Sequence, residues 1–177
     1  INHLKKFPLN KLPSYKEISI KHYIRLLEAT YVDLKYSDRT EAIKILINSI
    51  KSEINDFDIS NYKNFNYSPI EKRILMNIST MKYDLDEDKI FIEILNYLST
   101  LLEDNIILYP KIILNLAAIY HVKEDYDKCL NLTKNGIDYC IKNKNFDIMP
   151  KFFFRKFTTE AILGMKDYKD TIKKAVF

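Results

Sequence analysis

Two pairs of polar side chains repeat along the chain in a pattern that could bind the backbone of a polypeptide. Arg73 and Asn77 are four residues apart, as are Lys111 and Asn115, so each pair lies on one face of a helix. A cation and an amide can form hydrogen bonds with the peptide groups of a ligand of any sequence, and the cation can also pair with a carboxylate. We therefore predict a surface for an extended peptide. The alternative is solvated cations and asparagines that cap neighbouring backbone.

Further side chains could extend this predicted peptide-binding surface. They are Tyr83, His121, Arg155, Phe153 and Phe157. The phenylalanines at 152, 153, 154 and 157 exceed what one buried helix stripe requires. Some of these rings could face a ligand or a partner subunit, and core packing would account for the others.

No arrangement typical of catalysis or metal binding occurs in the sequence. His3, His22 and His121 are widely separated, and neither a His-Glu-x-x-His motif nor a paired-cysteine zinc spacing is present. Two glycines in the whole chain do not suit phosphate-cradling loops. We therefore expect a protein that is not an enzyme and that needs no metal and no cofactor.

Repeated prolines mark the helices that must carry the candidate side chains. Pro69, Pro110 and Pro150 are 41 and 40 residues apart, and each precedes an apolar-periodic run. Proline is favoured in the first turn of a helix, where its missing N–H costs nothing. Ser68 and Glu71 flank Pro69 with the spacing of a capping box, which predicts a helix start there.

These signals predict eight helices in four antiparallel pairs. Asp38, Asp125 and Asp167 resemble N-cap residues before the second helices of three pairs. Residues 56–67 are predicted to form the longest internal loop. The predicted pairs are 17–35 with 38–55, 68–83 with 87–103, 110–122 with 125–143, and 150–164 with 167–176.

Composition and charge narrow the class of protein. The 177 residues are 47% hydrophobic, which argues against disorder, and no apolar run reaches the roughly 18 residues of a membrane span.

Cys129 and Cys140 are too far apart along one helix for a mutual disulfide, which predicts two buried thiols in the cytoplasm. Because the first residue is Ile1, we expect a fragment of a longer protein or a processed chain.

Positive charge is concentrated at the start of the sequence. Residues 1–25 contain six lysines or arginines and one glutamate, whereas the remaining residues are nearly neutral. This segment could contact nucleic acid or an acidic partner, or it could be a solvated linker. We interpret residues 1–16 as a basic lead-in and residues 17–177 as one helical repeat domain.

Small residues recur where paired helices would approach each other. In the third pair these are Ala117, Cys129 and Gly136, with Leu116 and Tyr120 as large residues that fill the gap to the next pair. The pattern resembles the tetratricopeptide consensus; Phe91 in the second pair departs from it. The expected fold is all-α: a tetratricopeptide-like stack of four antiparallel helical hairpins, an α-solenoid.

The third and fourth pairs also resemble a known family of regulators. The resemblance rests on Tyr109-Pro110-Lys111 to Ala117, Asp125-Tyr126-Asp127-Lys128-Cys129-Leu130, Gly136-Ile137-Asp138-Tyr139-Cys140-Ile141, Met149-Pro150 and Lys166-Asp167-Tyr168. These residues are similar to the C-terminal domain of Firmicute transcriptional regulators of the Rgg/PlcR type. The resemblance implies a homodimer, a short signalling peptide as ligand, no membrane, and DNA contacts only through an N-terminal helix-turn-helix. We find no helix-turn-helix in residues 1–60, and a constitutive protein–protein interaction scaffold is the alternative.

Overall fold

Eight α-helices and one short 3-10 helix make up the part of the chain that the structure describes. This computed structural model describes residues 12–83, 88–166 and 168–176, in which no strand occurs. The predicted all-α fold is therefore confirmed, and the predicted helix ends lie within about four residues of the observed ones. The helices are α1 (Ser14–Tyr36), α2 (Arg39–Lys51), α3 (Pro69–Tyr83), α4 (Asp88–Leu101), α5 (Tyr109–Val122), α6 (Tyr126–Lys142), α7 (Met149–Ile162) and α8 (Tyr168–Val176).

Local caps set the starts of several helices as the sequence predicts. The backbone N–H of Ser68 donates to Oε2 of Glu71 at 2.6 Å, and the backbone N–H of Glu71 donates to Oγ of Ser68 at 3.4 Å. Asp38 and Asp125 each accept a hydrogen bond from the backbone N–H three residues later, before α2 and α6. The third predicted cap, Asp167, lies outside the described residues.

The chain divides into two compact units, Ile1–Tyr97 and Leu98–Phe177. In the first unit, α1 packs against α2, and both helices contact α3. In the second unit, α5 packs against α6, α6 against α7 and α7 against α8, and α5 also contacts α7. Consecutive helices therefore pack in order within each unit, as a tetratricopeptide-like pattern predicts. No helix among the described residues is long and apolar enough to cross a membrane.

A close approach between α6 and α7 explains the single glycine inside a helix of the second unit. A Cβ added to Gly136 would lie 2.2 Å from Cε1 of Phe152. The sequence assigns Gly136 to the contact within the third pair, whereas the structure places it against the first helix of the fourth pair. Phe152 is fully buried, in a cluster with Ile113, Ile137 and Cys140. The glycine therefore makes room for an aromatic ring of the next hairpin.

The segment predicted as a loop at 56–67 contributes to the core of the first unit. It contains the 3-10 helix Ile59–Asn64. Phe57, Tyr62 and Tyr67 are all buried, and the Tyr67 hydroxyl donates to the backbone carbonyl of Tyr62. The many polar residues of this segment favour a solvated loop, but its aromatic rings hold the backbone against the unit.

Phe91 departs from the small-residue pattern, and the fold accommodates it. The Phe91 side chain is fully buried, and its backbone carbonyl accepts a hydrogen bond from Oγ of Ser79 at 2.8 Å. Ser79 is also fully buried. The hydroxyl of Ser79 on α3 thus connects α3 to the backbone of α4 at Phe91.

Candidate functional site

Helices α5 and α7 of the second unit carry matching side chains 40 residues apart. Pro110 and Pro150 are the second residues of these helices and set the common register. Because residues three and four apart share a helix face, each set forms a stripe. The members are Lys111, Leu114 and Asn115 on α5 and Lys151, Phe154 and Arg155 on α7.

The two stripes meet at an open cavity of about 370 Å³. Leu114 of α5 forms one wall, and Pro150, Lys151, Phe154 and Arg155 of α7 form the others. The volume is typical of sites that bind small ligands. Phe154 is 54% exposed, so an apolar surface is open to a ligand. Apolar walls with two cations suit an apolar side chain that lies next to a carboxylate.

Arg155 gives this cavity its capacity to recognise an anion. The side chain is half-buried, and its Nε is buried without a hydrogen-bond partner among the described residues. A buried donor without a partner costs about 1–3 kcal/mol, and because this Nε is closed to solvent, a ligand would reach it only after the side chain shifts. The planar guanidinium matches a carboxylate through two parallel N–H donors. The cavity therefore favours a carboxylate as one part of its ligand.

His121, predicted to extend the peptide-binding surface, connects α5 to α6 and α7. Its Nδ1 lies 2.9 Å from Oγ1 of Thr159, and the same hydroxyl lies 3.3 Å from Sγ of Cys129. The pKa of His121 is lowered, mainly by burial and also by the positive charge of Arg155. The neutral ring therefore holds α7 in place one turn from Arg155.

Lys111 and Asn115, the predicted pair on α5, flank Leu114 along the helix without forming a wall of the cavity. Lys111 is exposed. Asn115 is half-buried, and its amide makes no hydrogen bond to another described residue. A ligand that extended from the cavity along α5 toward the start of the helix would pass Lys111, and one that extended the other way would pass Asn115. Their role in peptide binding stays a prediction.

The phenylalanines of α7 divide between the core and the cavity. Phe152 is buried beneath Gly136, and Phe153 is half-buried against the same core cluster. Phe157 is half-buried, with its ring centroid 6.4 Å from that of Phe154. Phe157 therefore packs beside Phe154, which lines the cavity. The assignment of Phe153 and Phe157 to peptide binding stays a prediction.

The predicted pair Arg73 and Asn77 lies on α3, in the first unit. The guanidinium carbon of Arg73 is 5.8 Å from the ring centroid of Tyr23 on α1, within the range of a cation–π contact. The Asn77 amide donates to the backbone carbonyl of Arg73 at 2.8 Å, which is the capping role of the alternative interpretation. Tyr83 ends α3, and its side chain lies outside the described residues. Peptide binding by these residues stays a prediction.

Sequence reasoning did not single out three cavity residues, and it considered one of them, Phe154, only as one of four rings on α7. The Arg–Asn and Lys–Asn pairs are 38 residues apart, and that spacing brings Phe153 into register with Asn115. The proline spacing of 40 residues instead brings Arg155 into register with Asn115. Applied to the whole stripe, the proline spacing would have selected the missed residues, Leu114, Lys151 and Phe154.

A buried polar cluster links α1, α2 and α3 in the first unit. His22 on α1 is 1% exposed, and its Nδ1 lies 2.7 Å from Oγ of Ser49 on α2. Its Nε2 lies 3.7 Å from Oε1 of Glu71 on α3 and makes no hydrogen bond. Because Ser49 is also buried, at 4% exposure, we interpret the cluster as a structural connection. No group of three or more potential metal ligands occurs in the described ranges.

The His22 cluster predicts how the stability of the chain depends on pH. Burial lowers the pKa of His22 from its ordinary value of 6.5, and the nearby Glu71 and Glu53 only partly oppose this shift. As the pH falls below 6.5, the unfolded chain therefore binds a proton that the folded chain resists, and the free energy of unfolding decreases. We expect His22→Gln to flatten this decrease in urea unfolding at a series of pH values.

The same measurement can be made on a second histidine, His121 of the second unit. The pKa of His121 is also lowered, so His121→Gln is expected to remove a separate part of the decrease. The double variant should then show the weakest dependence between pH 8 and pH 5. A His22→Gln variant with the wild-type dependence would contradict the assignment of a neutral, buried imidazole.

A solved protein structure has a fold similar to that of this chain. The chain is similar to PlcR from Bacillus thuringiensis, solved in complex with the peptide PapR7 and DNA, with a TM-score of 0.76 and 15% sequence identity. The match covers 99% of this chain and 59% of the PlcR chain. No protein-family model matches the chain, and no curated protein matches its sequence. The chain therefore has the all-helical, tetratricopeptide-like fold found in PlcR.

Proposed function

We propose that this chain is the ligand-sensing part of a bacterial transcriptional regulator and that it binds a short signalling peptide. In this proposal it acts in the cytoplasm as a homodimer, in the manner of quorum-sensing receptors. DNA contact would come from a helix-turn-helix that is not among these residues. The fold shared with PlcR, which was solved with a peptide and DNA, supports this class of function.

The observation that carries the proposal is the cavity between α5 and α7. It combines apolar walls with the cations Lys151 and Arg155. Arg155 lines the cavity, and its guanidinium supplies the positive charge for a carboxylate. A peptide that ends in an apolar residue offers both groups at once, because its terminal carboxylate lies next to its last side chain. We therefore propose that the cavity holds the C-terminus of the peptide.

The predicted residues of α5 that lie outside the cavity walls supply contacts to the rest of the peptide in this proposal. Lys111 and Asn115 flank Leu114 on the same helix face, where an extended backbone needs donors and acceptors. The amide of Asn115 has no partner among the described residues. Asn77 already donates to its own helix, so Asn115→Ala should weaken binding more than Asn77→Ala.

Selection from a defined peptide library tests the proposal. The 177-residue chain would be incubated with random pentapeptides that end in Leu or Phe as free acids, and with the same library as C-terminal amides. Retained peptides would be identified by mass spectrometry after gel filtration. We expect retention from the free-acid library and roughly tenfold less from the amide library, since the amide removes the charge that Arg155 recognises.

Two outcomes of the selection would contradict the proposal or a part of it. No retention from either library would contradict a peptide-sensing role. Equal retention from both libraries would contradict the carboxylate anchor and favour the constitutive scaffold. Sedimentation of the chain with and without a retained peptide would test the proposed homodimer separately.

A further inference from the structure

Helix α1 leaves a long apolar face exposed in the first unit. Tyr23, Leu27, Tyr31 and Leu34 are between 43% and 78% exposed. Their spacings of four, four and three residues place them on one side of the helix, which we call the α1 face. An exposed row of large apolar side chains is typical of an interaction surface.

Two cations contact the tyrosines of the α1 face. The guanidinium carbon of Arg73 is 5.8 Å from the ring centroid of Tyr23, and Nζ of Lys35 donates a hydrogen bond to the hydroxyl of Tyr31. Neither cation forms an ion pair with a carboxylate in the described part of the chain. The α1 face is therefore apolar and positively charged.

The carboxylates of α1 do not neutralise this charge. Each one already pairs with a different cation at a distance of 3.2 Å or less. A second copy of the chain would therefore bring two more cations to the α1 face and no unpaired carboxylate from α1. The positive charge of Lys35 and Arg73 instead favours a partner with acidic groups. The pairs are Glu17 with Lys21, Glu28 with Arg25, and Asp33 with Arg39.

We propose that the α1 face binds an acidic amphipathic helix of a partner protein. Ile20, Tyr23, Leu27, Thr30 and Leu34 are spaced by three, four, three and four residues, which is the seam spacing of two helices that pack side by side. Carboxylates beside the apolar stripe of the partner pair with Lys35 and Arg73. The seam is about 21 Å long at about 1.5 Å per residue, so about 14 residues of the partner cover it.

A designed peptide tests this proposal on the complete 177-residue chain. The probe is a fluorescein-labelled helix of about 18 residues with leucines at the a and d positions of its heptads and glutamates at the flanking e and g positions. Its twin carries lysines in place of the glutamates. We expect the acidic helix to bind with micromolar affinity in fluorescence anisotropy and its basic twin about tenfold or more weakly. Added salt should weaken the acidic complex.

Substitutions outside the core locate the binding surface. Leu27→Ser/Leu34→Ser should weaken the acidic helix about tenfold or more, and Lys35→Gln/Arg73→Gln should remove most of the preference over the basic twin. Ile141→Ser is the matched control, because Ile141 is 55% exposed on α6 of the other unit. Circular dichroism would verify that each variant is folded.

Three kinds of result would overturn the proposal. The first is equal binding of the two probe peptides, or unchanged binding by the leucine double variant. The second is self-association of the wild-type chain in sedimentation that the leucine double variant abolishes, which would assign the α1 face to a second copy. The third is binding to phosphatidylcholine–phosphatidylserine vesicles, lost in the same variant, without binding of the acidic helix.

Discussion

Replacing Gly136 with alanine is expected to lower the free energy of unfolding by about 2 kcal/mol, which is typical of overpacking in a close-packed core. The added methyl group would lie 2.2 Å from Cε1 and 2.3 Å from Cζ of Phe152. Phe152 is fully buried, so its ring has no open space into which it could move. Alanine gains about 1 kcal/mol over glycine in helix propensity, and the steric cost must exceed that gain.

Urea and thermal unfolding followed by circular dichroism measure this effect. A loss of about 2 kcal/mol corresponds to a Tm lower by about 4–8 °C for a chain of this size. Asn135→Ala is the matched control, since Asn135 is the exposed neighbour of Gly136 on α6 and leaves the core unchanged. Adding Phe152→Leu to Gly136→Ala should recover part of the loss, because the two side chains compete for one space. A Gly136→Ala variant as stable as the wild type would contradict the close approach of α6 and α7.

Arg155→Gln is expected to weaken the binding of a selected free-acid peptide by about 30-fold, or about 2 kcal/mol. Arg155 lines the cavity, and its guanidinium supplies the charge that we assign to the terminal carboxylate. Glutamine keeps a polar, extended side chain but cannot form two parallel charge-assisted hydrogen bonds. Titration calorimetry with the free acid and the amide, against the wild type and the variant, forms a double-mutant cycle. The amide should lose little affinity on the same substitution.

A distant cation separates this specific effect from general electrostatics. Lys134→Gln removes one positive charge from an exposed position on α6 that does not line the cavity. We expect its affinity for the free-acid peptide to change by less than about twofold. An equal loss for free acid and amide in Arg155→Gln would contradict the carboxylate role of Arg155. A similar loss in Lys134→Gln would do so as well.

The helices themselves could be predicted because their signals are local. Pro110 and Pro150 fix φ near the start of α5 and α7, and Ser68 with Glu71 caps the start of α3. Small residues at regular spacing then indicated close helix pairs, which favoured the tetratricopeptide-like fold. These features depend on residues within one or two turns of each other, so one sequence contains enough information to place them.

Contacts between hairpins could not be predicted in the same way. The sequence indicates that Gly136 lies at a close contact between helices, but it does not show that the partner is Phe152 of α7 rather than a residue of α5. Likewise, three consecutive phenylalanines point in three directions, and only the packing of α6 on α7 decides which one is buried. The ring of Phe152 enters the core, and the ring of Phe154 then lines the cavity.

The candidate site was predicted only in part for a related reason. Arg155 was identified, whereas Lys151 was missed, because the register of a repeat is a property of the packed helices and was inferred from two residue pairs alone. The aromatic surface of α1 was missed because apolar residues occur on more than one side of that helix. Tyr23 and Leu27 are exposed, while the neighbouring Ile24 and Leu26 are buried.

The most direct test of the proposed function is to locate a selected free-acid peptide on the chain by nuclear magnetic resonance. A ¹⁵N-labelled sample would be titrated with the peptide, and chemical-shift changes of assigned backbone amides would be mapped onto the helices. Binding at the cavity predicts that the largest changes fall on α5 and α7, around Leu114, Phe154 and Arg155, and that Arg155→Gln removes them. Changes confined to other helices, or unaltered changes in Arg155→Gln, would contradict the proposed site.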